Sequence, residues 1–171
     1  AYVNNTYGAY AGEVASMTNS GTMSAAATAT ANSQQGNAYA STYYTYGAYV
    51  DTPAQITNSG AITGTAATTA TGLTYAYAYT YASYGLFSDG YPYPLTNSGT
   101  IAAAGYATAN AQGPVYAYTD YTYGIYACEG AYVTNSGTIA AYSSASATSV
   151  DSYAYAQTYD TYGIYYDYPG S

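Results

Sequence analysis

One acidic residue recurs at a nearly constant place in this chain, four or five positions after the glycine of a Tyr-Gly pair. The five residues are Glu13, Asp51, Asp89, Glu129 and Asp167. If successive copies are stacked, these carboxylates form a line with a spacing of ~5 Å, and their oxygen atoms suit a hard cation such as Ca²⁺. The same row is also interpreted as solvated loop charges that keep an apolar surface soluble. The pattern leaves both interpretations open.

Composition excludes several kinds of chemistry. The chain has 171 residues, of which 30 are Tyr and eight are Asp or Glu, and it contains no Lys, Arg, His or Trp. Without Lys and Arg the chain cannot neutralise the phosphates of DNA or RNA, so we expect no nucleic-acid partner. Because the chain has no His, catalytic pairs of a nucleophile with a His base are excluded, and so are zinc sites with imidazole ligands. Carboxylates that recur once in every repeat lie in a row along the stack and form no unique cleft, so we expect no enzymatic activity. We also expect no cofactor other than the Ca²⁺ considered above.

The tetrapeptide Thr-Asn-Ser-Gly occurs four times, beginning at Thr18, Thr57, Thr96 and Thr134, and this regular period is the signature of a repeat architecture. The period divides the chain into a partial repeat, 1–17, and full repeats 18–56, 57–95, 96–133 and 134–171. We interpret residues 1–171 as one repeat domain that begins within a repeat, and therefore as a processed protein or a segment of a longer one. No run of residues is long and apolar enough for a membrane helix, so we expect no membrane span.

Each repeat contains two segments whose alternation predicts β-strands. In the third repeat the first segment places Ile101 and small residues up to Ala109 on one face. The second segment leads into Tyr-Gly, and we predict that its inward face carries Ala117, Thr119, Tyr121, Tyr123 and Ile125. Its outward face then carries Tyr116, Tyr118, Asp120, Thr122, Gly124 and Tyr126. The same assignment turns Asp160 inward in the fourth repeat, which requires a bulge or a wider interior.

Identical residues at a long fixed period are useful when coils stack in register, because each side chain then contacts its equivalent ~4.8 Å away. We therefore predict an all-β fold, a parallel β-solenoid of about four and a half coils of ~39 residues. Whether a repeat makes one coil or two stays open. The predicted amide ladder consists of Asn19, Asn58, Asn97 and Asn135, and the predicted aromatic ladder of Tyr10, Tyr49, Phe87, Tyr126 and Tyr165.

The segment from Leu95 to Ile101, followed by alternating Ala and by Gly124-Ile125, resembles the low-complexity repeats of bacterial autotransporter passengers and related β-solenoid surface proteins. The resemblance covers essentially the whole chain. It implies a right-handed parallel β-solenoid, an extracellular or cell-surface location, and an adhesive or scaffolding role.

These features predict an extracellular structural protein that forms a fibre or filament by end-to-end stacking of coils. The alternative is an adhesin-like passenger segment of a larger secreted protein that contacts a surface or glycan. The Thr-rich outward face also suggests ice binding, the tyrosine ladders suggest charge transport, and the sequon at Asn4 predicts a glycosylation site.

Overall fold

The computed structural model describes residues 1–13 and 16–167, and within them every helix or strand element is a strand. The strands are β1 (Tyr2–Ala11), β2 (Met17–Asn19), β3 (Thr22–Asn32), β4 (Asn37–Asp51), β5 (Ile56–Asn58), β6 (Ala61–Thr71), β7 (Tyr75–Asp89), β8 (Tyr93–Asn97), β9 (Thr100–Ala111), β10 (Val115–Ala127), β11 (Ala131–Asn135), β12 (Thr138–Ser149) and β13 (Ala154–Tyr166).

The strands form three parallel sheets that run along a common stack. Sheet A contains the long strands in the order β1-β4-β7-β10-β13, sheet B the order β3-β6-β9-β12, and sheet C the short strands in the order β2-β5-β8-β11. Partners lie one repeat apart, as Tyr7 with Tyr46 and Ile62 with Ile101 show. One repeat therefore makes one coil, and the predicted all-β parallel solenoid is confirmed.

In sheet B, buried residues alternate with more exposed ones, as predicted. Ile101, Ala103, Gly105, Ala107 and Ala109 are all buried, whereas the residues between them are half-buried or exposed. Their small side chains let sheets A and B pack closely, with Ala78 and Ala117 buried on the facing strands. Larger side chains, among them Ile101, Leu86 and Leu95, fill the wider interior where all three sheets meet.

The predicted inward face of the second strand is wrong in part. Ala117, Thr119 and Ile125 are buried as predicted, but Thr122, which we placed outside, is fully buried. Tyr121 and Tyr123 belong instead to a separate aromatic cluster together with Tyr126. The alternation of β10 is therefore reversed twice, and both Asp120 and Tyr121 line cavities on the outer side.

The reversals coincide with a close approach of two backbones. A Cβ added to Gly124 would lie 2.9 Å from the carbonyl oxygen of Ala140 in sheet B and 2.5 Å from that of Gly163 in the next coil. No space remains for a side chain inside, so the neighbouring tyrosine turns outward. Asp160, in register with Tyr121, is consequently half-buried in an outer cavity, and the cost of an unpaired carboxylate in the interior is avoided.

The interior also contains a belt of hydroxyl groups. The Oγ1 atoms of Thr42 and Thr80 each lie 2.8 Å from that of Thr68, and all three residues are buried. By contrast, the hydroxyls of Thr45, Thr119 and Thr122 have no hydrogen-bond partner among the described residues. The interior therefore combines satisfied and unsatisfied polar groups, and the apolar area it buries is modest.

Glycines in the turns between sheets C and B provide a matched test of the stacking. A Cβ on Gly99 would lie 2.0 Å from the carbonyl oxygen of Gly60 in the preceding coil, whereas a Cβ on Gly21 meets no described atom within 4 Å. We expect Gly99→Ala to lower the free energy of unfolding by about 3 kcal/mol through overpacking, while Gly21→Ala has little effect. Denaturant unfolding of both variants measures this difference, and equal shifts would contradict the stacking of these glycines.

Candidate functional site

The four asparagines of the Thr-Asn-Ser-Gly turns form a continuous amide ladder. The Nδ2 groups of the first three donate to Oδ1 of the asparagine in the next coil, at 2.8 Å from Asn19 to Asn58, 2.7 Å from Asn58 to Asn97 and 2.7 Å from Asn97 to Asn135. Asn58 and Asn97 are completely buried, and Asn135 at the end of the stack is exposed.

Backbone hydrogen bonds at the turn hold these side chains in place. Asn58 Nδ2 also donates to the carbonyl of Thr100 at 3.1 Å, and the carbonyl of Asn58 accepts from the N–H groups of Ser98 and Gly99. Each turn therefore contacts the next through both its side chain and its backbone. A buried polar group is tolerated here because its partners lie in the adjacent coil.

The predicted aromatic ladder lies on the outer side of sheet A. Its rings, in the column Tyr10, Tyr49, Phe87, Tyr126 and Tyr165, are stacked with centroid separations of 5.0 to 5.4 Å and interplanar angles of 4° to 22°. Stacking of this kind contributes ~0.5 to 1.5 kcal/mol per pair beyond the burial of area.

A second aromatic column, which was not among the predicted ladders, lies beside the first. It consists of Tyr7, Tyr46, Tyr84, Tyr123 and Tyr162, whose successive centroids are 5.0 to 5.8 Å apart. The two columns also touch each other, with Tyr46 and Tyr49 packed edge to face at 5.3 Å. The recurrence of Tyr-Gly at the repeat period was the available signal, since the tyrosine of that pair forms the column.

Two aromatic cavities open on the outer side of sheet A. The larger, of about 550 Å³, is lined by rings from the central part of both columns, by neighbouring tyrosines, and by Asp160 and Asp167. The smaller, of about 430 Å³, is lined by Tyr77, Tyr79, Tyr118 and Tyr159 with Asp120. Tyr121 and Asp160 line both cavities, so the two are adjacent parts of one concave surface.

Carboxylates and phenols interact at this surface. The Tyr79 hydroxyl donates to Oδ2 of Asp120 at 2.5 Å, and the Tyr126 hydroxyl donates to Asp167. Burial raises the pKa of Tyr79, and the hydrogen bond to Asp120 raises it further. Burial likewise raises the pKa of the Asp120 carboxyl; the bond from Tyr79 lowers it, and the nearby charge of Asp160 raises it. These phenols are hydrogen-bond donors at neutral pH.

The predicted acidic row is placed along one border of sheet A. Asp51 and Asp89 are partners in register, while Glu13, Glu129 and Asp167 lie just beyond the strand ends. No group of three or more His, Cys, Asp or Glu side chains within residues 1–13 and 16–167 is arranged to hold a metal ion. Calcium binding by this row stays a prediction.

The remaining candidates lie on exposed strands. Asn4 is exposed on β1. On sheet B, Thr30, Thr69 and Thr108 form one column, but the rings of Tyr106 and Tyr142, 5.5 Å apart, interrupt the flat threonine face that ice binding requires. The described part of the chain contains no helix suited to cross a membrane.

Comparisons of the chain with protein-family models, with curated proteins and with solved structures found no match.

The amide ladder gives a direct stability test. We expect Asn97→Ala to lower the free energy of unfolding by about 1 to 3 kcal/mol, because its removal leaves the Asn58 amide and the Asn135 carbonyl oxygen without their partner. Thr100→Ala, half-buried in sheet B, is the control and should cost less. Thermal unfolding compares the two, and a larger shift for Thr100→Ala would contradict the role of the ladder.

We expect the stability of the folded state to fall at alkaline pH and to be kept or raised at acidic pH. Burial raises the pKa of Tyr93 from 10.0 to about 12, and burial also raises that of Tyr84 and Tyr123. The unfolded chain then loses protons first, so stability present below pH 10 is lost as the pH rises through 12. In acid, protonation of Asp120 favours the folded state, and no Lys, Arg or His ion pairs can break.

The measurement is the unfolding midpoint in denaturant at pH 4, 7 and 11. We expect the midpoint at pH 4 to equal or exceed that at pH 7, and the midpoint at pH 11 to be clearly lower. A midpoint that falls in acid and stays constant up to pH 11 would contradict this account.

Proposed function

We propose that this chain is a structural protein of an extracellular fibre or filament, in which coils of separate copies stack in register. The observation that supports the proposal is the glycine column of sheet A. A Cβ on Gly8, Gly47, Gly85 or Gly124 would lie 2.5 to 2.6 Å from the carbonyl oxygen of the glycine in the next coil. At Gly163 the nearest described atom is 3.8 Å away, yet the residue is still glycine.

A further coil placed on β13 would explain this glycine. In a head-to-tail pair, β1 of a second copy continues sheet A, so Gly8 follows Gly163 and Tyr10 follows Tyr165 in their columns. The backbone groups on the outer edge of β13 then gain partners, which removes an exposed strand edge. A contact of this type joins two different surfaces and propagates as a filament.

The resemblance to autotransporter passengers supports the extracellular, cell-surface part of the proposal. A structural role also agrees with the repeated columns on the surface, since every repeat offers the same contacts to its neighbour. The absence of Lys and Arg removes the cleavage sites of trypsin-like proteases, which suits an exposed fibre.

The test is assembly of the purified chain, followed by light scattering and electron microscopy. We expect wild type to form filaments. Gly163→Ala should keep the melting temperature of the monomer but fail to assemble, because its Cβ would lie within ~2.5 Å of the incoming carbonyl oxygen.

Gly21→Ala is the matched control. Within the described residues sheet A has one strand more than sheets B and C. When two copies join through β1 and β13, no turn of the other copy is therefore placed directly against Gly21, and this variant should assemble like wild type. A wild-type chain that stays monomeric at high concentration, or assembly of Gly163→Ala at the wild-type rate, would overturn the proposal.

A second candidate, favoured by the aromatic cavities on sheet A, is an adhesin-like segment of a larger secreted protein. Tyrosine-rich concave surfaces are common in recognition sites because their rings bury large areas at low entropic cost. Monomers that bind a glycan or a surface receptor without assembling would favour this candidate over the fibre.

A further inference from the structure

The smaller cavity of sheet A differs from the stacked columns in how its rings are oriented. Tyr77 is tilted by 47° against Tyr118 at 5.8 Å, and by 37° against Tyr79 at 6.2 Å. In the column from Tyr10 to Tyr165 each ring face is covered by the next ring, but tilted rings leave part of their faces open. The cavity of about 430 Å³ therefore presents aromatic faces to a ligand, and its size is typical of small-molecule sites.

The cavity also carries negative charge that no basic side chain neutralises. Asp120 and Asp160 both line it, and the charge of Asp160 acts on Asp120. The chain contains no Lys, Arg or His side chain that could pair with either carboxylate. Partly buried carboxylates without a counter-charge are costly, so a bound cation would relieve them.

Aromatic faces combined with carboxylates select a particular kind of cation. The π faces of tyrosine attract cations near the ring centre, most strongly when the cation sheds water easily. Ca²⁺ takes six to eight oxygen ligands and Mg²⁺ binds with several of its waters retained, so neither ion makes use of the aromatic faces. Alkylated ammonium ions are weakly hydrated and have apolar surfaces that pack against rings.

We propose that the cavity between β7, β10 and β13, with walls formed by Tyr77, Tyr79, Tyr118 and Tyr121 and charges from Asp120 and Asp160, binds a small organic ammonium ion. The tilted rings contact the alkyl groups of the ligand, and the two carboxylates balance its charge. The site lies on the outer face of sheet A, so it does not depend on the proposed assembly.

The experiment is calorimetric titration of the full chain with choline and with an uncharged tert-butyl analogue of choline. We expect one choline site, and an affinity for the analogue that is lower by at least about tenfold, because the analogue fills the same volume without the charge. Equal affinities for the two probes would overturn the proposal, as would displacement of choline by equimolar Ca²⁺.

Variants separate the site from the general negative charge of the surface. Asp160→Asn should weaken choline binding by about tenfold, whereas Asp151→Asn, an exposed residue outside both cavities, should leave it unchanged. Asp120→Asn also removes a hydrogen-bond acceptor of Tyr79, so its fold is checked by circular dichroism first. Equal losses for Asp160→Asn and Asp151→Asn would assign choline binding to surface charge and overturn the site.

Discussion

Register between successive coils is the constraint on which the rest of this structure depends. The interior is lined largely by alanine, so apolar burial per residue is small and the contacts between coils must contribute more of the stability. Those contacts are backbone hydrogen bonds, the asparagine amides and glycines whose carbonyls approach the next coil too closely for a Cβ. A slip of one residue would disrupt all three at once, which is why the same residue types recur at each of these positions.

The same register arranges the outer surface. Where sheets A and B touch at the glycine column, side chains cannot enter, and the tyrosines next to the glycines are directed outward. Repetition then brings these rings into columns, between and beside which the two cavities open. The aromatic cavities therefore result from the close packing inside, and the same reversal of alternation places Asp160 on the outer side.

The repeat period and the alternation in sheet B were predictable from sequence because both appear in every copy. The amide ladder followed from the period, since asparagines at one place in every repeat can satisfy one another only when stacked in register. The double reversal near Thr122 was not predictable from alternation, because it depends on contact between two backbones distant in sequence. The recurrence of Tyr-Gly was a signal for the second aromatic column, whereas the tilted rings around Asp120 depend on that reversal and required the structure.

Hydrogen exchange of the asparagine side-chain amides tests the stacked register most directly. Asn58 and Asn97 are buried and donate to the next coil, whereas Asn135 is exposed at the end of the ladder. Nuclear magnetic resonance of the native protein should show the Nδ2 protons of Asn58 and Asn97 protected to an extent similar to the backbone amides of sheet A, with Asn135 exchanging rapidly. Rapid exchange of all three side chains, with the backbone still protected, would contradict the account.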